Sequence, residues 1–175
     1  PPDKQLILVT AHRRESFGKP LEDVFRAIKQ LAHSYADRVI LLYPVHRNPN
    51  VQEPAERILG GLPNVRLVEP LDYRDMAHAL QRAYLVLTDS GGLQEEAPAL
   101  GTPVLVLREV TERPEALQAG TARLVGTDPD RIVAEASRLL DDPQAHAAMA
   151  HAAIPYGDGH AAERIVAALL AASGG

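Results

Sequence analysis

The segment Thr88-Asp89-Ser90-Gly91-Gly92-Leu93-Gln94-Glu95-Glu96-Ala97-Pro98 sets a glycine pair, a hydroxyl and several carboxylates between an aliphatic run and a helical pattern. Paired glycines let a ligand approach the main chain closely and leave N–H groups unoccupied. A helix that starts there adds its own unpaired N–H groups and the positive end of its dipole. The chemistry implied is anion binding, and a diphosphate fits that description. Ser90 adds a hydroxyl donor. Glu96, about a turn and a half into the helix, can accept hydrogen bonds from ribose hydroxyls. A plain strand-to-helix turn would also use a glycine, and Glu95-Glu96 would also suit a solvated helix start.

A second constellation, Thr10-Ala11-His12-Arg13-Arg14-Glu15-Ser16, gathers an imidazole and two guanidinium groups directly after the first aliphatic run. Protonated histidine and arginine both suit phosphate oxygens. His12 is placed to steady or protonate a leaving diphosphate, although a lone loop histidine more often serves structure. In Thr111-Glu112-Arg113-Pro114-Glu115, Arg113 precedes a helix opened by proline; it either reaches the same ligand or forms a surface ion pair. Tyr43-Pro44-Val45-His46-Arg47-Asn48-Pro49-Asn50 is rich in turn residues and reads first as a structural loop, with His46 able to face the crevice. His33, His78, His146, His151 and His160 show no metal-ligand spacing and read as surface residues, so no metal is expected. There is no G-x-S-x-G, P-loop or G-x-G-x-x-G. The last absence argues against a nicotinamide or flavin domain, and no cofactor is expected.

Six short aliphatic runs supply strands to position these groups: Leu6–Val9, Val39–Leu42, Val65–Val68, Leu85–Leu87, Val104–Leu107 and Arg123–Val125. Leu6-Ile7-Leu8-Val9 does not alternate with polar residues, the mark of a strand buried on both faces. Between the strands, Leu21, Val24, Phe25, Ile28, Leu31 and Tyr35 fall on one helical face. Val51–Leu59 is a shorter helix, and Asp72 caps one that runs to about Ala83. Thr127 and Asp130 resemble a capping box ahead of Ile132 and Val133. Asp142-Pro143 opens a further helix, and Ile165, Val166, Leu169 and Leu170 mark the last. Strands alternating with helices imply right-handed βαβ units. The prediction is a doubly wound α/β parallel sheet of order 3-2-1-4-5-6, which takes ligands beyond the carboxyl ends of its strands.

A chain of 175 residues is enough for one domain. With two Phe, five Tyr and no Trp, its core must be aliphatic. A net charge of −5 offers no basic field for nucleic acid. No apolar run approaches the roughly 18 residues of a membrane span, and no signal peptide is expected ahead of the first strand. Without cysteine there is no disulfide framework and no thiolate chemistry. A cytoplasmic protein with neither nucleic-acid nor membrane partners is expected.

Together these segments resemble the non-hydrolysing UDP-N-acetylglucosamine 2-epimerases. The stretches that carry the resemblance are Thr10–Ser16, Tyr43–His46, Thr88–Pro98, Leu100–Arg108, Thr111–Glu115 and Pro155–Gly159, in order and spacing across nearly the whole chain. The resemblance implies a GT-B architecture, two Rossmann-like domains with the active site in the cleft between them. Residues 1–175 look like the second of these, a single UDP-binding domain whose N-terminal partner domain is absent. The implied reaction interconverts UDP-N-acetylglucosamine and UDP-N-acetylmannosamine by eliminating UDP to leave a glycal and adding it back with C2 inverted.

By the same resemblance, His12 is the catalytic-site histidine of this half and contacts the departing UDP. Ser90, Gly91 and Gly92 hold the diphosphate, Glu96 the ribose, and Arg113 completes the nucleotide site. Arg13 and His46 match positions that touch a second, regulatory UDP-N-acetylglucosamine. Leu71 and Met76 stand near the uracil, where other members place a glutamine and an aromatic. The last helix is expected to pack on the first domain, and the parent to form a homodimer. The acidic residues that handle the proton at C2 belong to the first domain, so the isolated chain is expected to be inactive or nearly so. The alternatives are the C-terminal half of a GT-B UDP-sugar glycosyltransferase and an excised, non-catalytic folding unit. His12-Arg13-Arg14-Glu15 favours the epimerase.

Overall fold

The computed structural model describes residues 3–152, 156–157 and 159–173. The aliphatic runs become six strands: β1 (Gln5–Thr10), β2 (Val39–Pro44), β3 (Val65–Val68), β4 (Ala83–Thr88), β5 (Val104–Val106) and β6 (Ala122–Leu124). They form one parallel sheet in the order β3-β2-β1-β4-β5-β6, the doubly wound arrangement expected. The order reverses between β1 and β4. In sheets of this kind ligands bind beyond the carboxyl ends of the strands at that switch point.

The helices are α1 (Lys19–Ser34), α2 (Pro49–Leu59), α3 (Tyr73–Arg82), α4 (Gly91–Ala99), α5 (Pro114–Ala119), α6 (Pro129–Asp141), α7 (Pro143–Ala150) and α8 (Ala161–Ser173). They divide between the two faces of the sheet. Phe25, Ile28, Leu31, Val51, Leu59, Ile132 and Leu139 pack with Ile7 and Val9 of β1. Leu80, Leu93, Ala97 and Ala116, from α3, α4 and α5, pack with Leu8, Val86 and Val104. Successive side chains of β1 therefore enter opposite cores, as strand geometry demands. Both faces are covered, so the strand needs no polar alternation.

Helix caps follow the sequence with one correction. Asp72 accepts the N–H of Asp75 at 2.8 Å and starts α3. At α6 the expected capping box of Thr127 and Asp130 does not form. Asp128 is the cap and accepts the N–H of Arg131 at 3.0 Å. Pro129 occupies the first helical position and fixes the start one residue later than the pattern suggested.

A second correction concerns His146, read from sequence as a surface residue. It is half-buried, its ring stacks on Tyr84 with centroids 3.7 Å apart, and its Nε2 lies 2.8 Å from the Tyr84 carbonyl. His33, His78, His151 and His160 are exposed as expected.

α8 is exposed from Ala161 to Ala172, and Ile165, Val166, Leu169 and Leu170 are each more than half exposed. Within the Pro-Tyr-Gly-Asp-Gly motif, Pro155 and Asp158 lie outside the described residues, as does the flanking Ile154. Among the described residues no helix is long and apolar enough to cross a membrane.

Candidate functional site

The ends of β1 and β4 are fastened side by side. The hydroxyls of Thr10 and Thr88 are 2.6 Å apart and buried. One residue on, Asp89 is 1% exposed. Its Oδ2 accepts the main-chain N–H groups of His12 at 2.6 Å and Arg13 at 2.7 Å. The Arg13 Nε also donates to the Asp89 carbonyl at 3.1 Å. The loop after β1 is thus held against the turn after β4 by main-chain and side-chain bonds together.

That turn leads directly into α4. Ser90 is the N-cap residue, with an extended backbone, and its hydroxyl makes no capping bond. Its N–H donates to the Thr88 hydroxyl at 2.9 Å. The first amides of α4 are therefore not claimed by the cap side chain that usually takes them. Neither Gly91 nor Gly92 has a positive φ, so left-handed backbone is not why glycine stands there. Space is the better reason. A Cβ built on Gly91 would lie 3.8 Å from the Nη2 of Arg13 and 3.8 Å from the Nη2 of Arg113. Two guanidinium groups from different loops thus converge on the helix start. A Cβ on Gly92 would meet the Glu96 Oε1 at 3.5 Å, which brings that carboxylate to the same turn.

Arg113 is set by a chain of hydrogen bonds from α4. Gln94 is fully buried, and its Nε2 donates to the Ser90 carbonyl at 3.2 Å. Its Oε1 accepts from the Thr111 hydroxyl at 2.5 Å, which in turn accepts the Arg113 N–H at 3.1 Å. The Arg113 guanidinium pairs with Glu95, a hydrogen bond that holds it firmly charged. Nearby, Arg108 is 9% exposed and bonds both oxygens of Glu112, at 2.7 and 3.0 Å, with Glu15 at 3.1 Å. Its hydrogen bond holds the Glu112 carboxyl down to about 2. This fork ties the loop after β5 to the loop after β1.

His12 and His46 come together as stacked rings, centroids 5.4 Å apart and planes within 10°. His46 Nδ1 accepts the Asn48 N–H at 3.1 Å. Leu71 and Met76 are half-buried and pack on the core that contains Leu93 of α4. They add apolar surface to that side of the sheet. The arrangement suits a phosphate-bearing ligand: cationic side chains and helix amides meet at one turn, flanked by an acceptor carboxylate and an apolar surface. A cavity of about 570 Å³ at the ends of β2 and β3 has the opposite character, lined by Glu53, Glu56 and Glu69. No group of histidines and carboxylates among the described residues could hold a metal ion.

Sequence reasoning assigned no part to Asp89, Gln94, Thr111, Arg108 or Tyr43. Tyr43 was read within a structural loop. It is the penultimate residue of β2, 1% exposed, and its hydroxyl donates to the Ala11 carbonyl at 2.5 Å, just ahead of His12. Burial pushes its phenol well above the ordinary range.

Residues 1–170 match the family model described as UDP-N-acetylglucosamine 2-epimerase. The UDP-N-acetylglucosamine 2-epimerase of Escherichia coli (strain K12) is 55% identical over 168 residues, 96% of this chain and 44% of that protein. The structure of UDP-GlcNAc 2-epimerase from Neisseria meningitidis bound to UDP-GlcNAc is 42% identical with a TM-score of 0.90, over 96% of this chain and 45% of that one. The Methanocaldococcus jannaschii UDP-GlcNAc 2-epimerase in complex with UDP-GlcNAc and UDP is 27% identical, with a TM-score of 0.77 over 97% and 46% of the two chains. The chain thus spans less than half the length of these relatives. Its doubly wound sheet is a Rossmann-like half of a GT-B architecture. With the motif order, the strand order and a match covering nearly every residue, the chain belongs to the UDP-N-acetylglucosamine 2-epimerase family.

Proposed function

We propose that this chain is the UDP-holding half of a UDP-N-acetylglucosamine 2-epimerase active site. The observation that carries the reading is the convergence of Arg13 and Arg113 over Gly91, at the uncapped start of α4. A diphosphate seated there accepts hydrogen bonds from the α4 amides and the Ser90 hydroxyl while the two guanidinium groups balance its charge. Glu96 takes the ribose hydroxyls, and Leu71 and Met76 line the uracil side. His12 faces the departing diphosphate. His46, stacked on His12, and Arg13, beside the same turn, also border a second UDP-N-acetylglucosamine position of regulatory kind.

In the reaction proposed, a base removes the proton from C2, the C1–O bond to UDP breaks, and a glycal remains. UDP then adds back to C1 as C2 is protonated from the other face. This chain stabilises the leaving diphosphate. The base that works at C2 comes from the part of the relatives' length that the chain does not span, so alone it binds UDP and does not epimerise. Calorimetric titration with UDP tests this, with saturable binding expected. No heat at millimolar UDP would refute a preformed site, and robust epimerisation by the chain alone would refute the division of labour.

A further inference from the structure

Among the described residues one buried carboxylate oxygen has no hydrogen bond. Asp89 Oδ1 is buried and unpaired, although Oδ2 of the same carboxylate takes two main-chain N–H groups. A buried carboxylate oxygen without a donor is costly. The ring of His12 stands beside it, with Nδ1 3.6 Å from Oδ1. That is just beyond hydrogen-bond reach, and a small turn of the half-exposed ring closes it. One face of the ring stacks on His46.

We propose that Asp89 is the positioning residue of His12. Its Oδ2 fixes the His12 main chain, and its Oδ1 takes the proton of His12 Nδ1. Neutral His12 is thereby held in the Nδ1–H tautomer, leaving Nε2, across the ring from Asp89, to face the crevice. A carboxylate behind an imidazole sets which nitrogen is free and supports the ring when it gains a proton. Resting on the function proposed above, this makes Nε2 the atom that meets the departing diphosphate, and Asp89 acts on the ligand only through His12.

The test reads the tautomer of His12 in the ¹⁵N-labelled chain by long-range ¹H–¹⁵N correlation, at a pH where the ring is neutral. His46 supplies an internal reference, since its Nδ1 already accepts an N–H and its proton must sit on Nε2. Protonated Nδ1 on His12 is the expected result, and the Nε2–H tautomer overturns the proposal. Asp89→Asn provides a second reading. The two main-chain N–H groups claim the amide oxygen, which turns the amide NH₂ toward Nδ1. His12 should then switch to the Nε2–H tautomer, and an unchanged tautomer in a folded Asp89→Asn chain also overturns the proposal. If that variant does not fold, the wild-type spectrum alone decides. No UDP is needed, so a failed UDP titration and a wrong tautomer refute different claims.

Discussion

Gly91→Ala should separate folding from ligand binding. Gly91 has no positive φ, and an added Cβ meets nothing closer than two guanidinium nitrogens at 3.8 Å, an ordinary contact. The folded chain therefore accommodates alanine. Restricting the unfolded chain should stabilise the protein by about 0.4–1 kcal/mol. For a chain of this size that raises Tm by about 1–4 °C. Binding should move the other way. On the function proposed above, the methyl group fills the space between Arg13 and Arg113 that a phosphate oxygen would occupy. Losing one charge-assisted hydrogen bond costs about 1.5–3 kcal/mol, which weakens Kd by roughly 10- to 150-fold. Thermal melts paired with calorimetric UDP titrations measure both. An unchanged Kd alongside a raised Tm would show that no ligand lies against Gly91. A Tm lower by several degrees would show that this glycine serves the backbone after all.

Three further outcomes follow from the packing and charges. Tyr43→Phe removes the donor to the Ala11 carbonyl and should cost about 1–3 kcal/mol in urea unfolding; a wild-type midpoint would mean that water replaces the hydroxyl. Glu112 should titrate near 2 by carbonyl ¹³C NMR and return toward 4.5 in Arg108→Leu. Because its folded value is lowered, the stability this pair contributes is fully present above about 4.5 and is lost as pH falls through about 2. The double change Ile165→Glu and Leu169→Glu, on the exposed apolar face of α8, should reduce self-association at high concentration without lowering Tm; a wild-type chain that stays monomeric by sedimentation would refute a sticky face.

The strand order was readable because Leu6-Ile7-Leu8-Val9 and its counterparts carry no polar alternation and the handedness of crossovers leaves few orders open. Ser90, Gly91, Arg113 and Glu96 could be singled out because their types announce anion or hydroxyl chemistry. Their supports could not. Asp89 works through main-chain N–H groups that every residue but proline owns, so its spacing carries no signal. Gln94 looks like any helical glutamine until its full burial shows both amide atoms engaged. Tyr43 sat among turn residues, and only the pairing of β2 with β1 turns its hydroxyl toward Ala11. The cap of α6 lies one residue beyond the one the sequence pattern predicts, because Thr127 and Asp128 both suit the position and only the placement of Pro129 chooses between them.

The bonds that join the two sides of the glycine turn connect residues 76 to 78 positions apart. In kinetic terms, the turn is complete only when β1 has paired with β4 across nearly half the chain. Closing a loop of that length is slow and entropically costly. A nascent or partly unfolded chain can form α4 and its glycines without forming the site. A ligand held there accordingly selects the native state, and at a hundredfold excess over Kd it would add about 2.7 kcal/mol to stability. Two separately made pieces, cut in the exposed turn at Gly60-Gly61, should each be blind to that ligand and regain it only by finding one another.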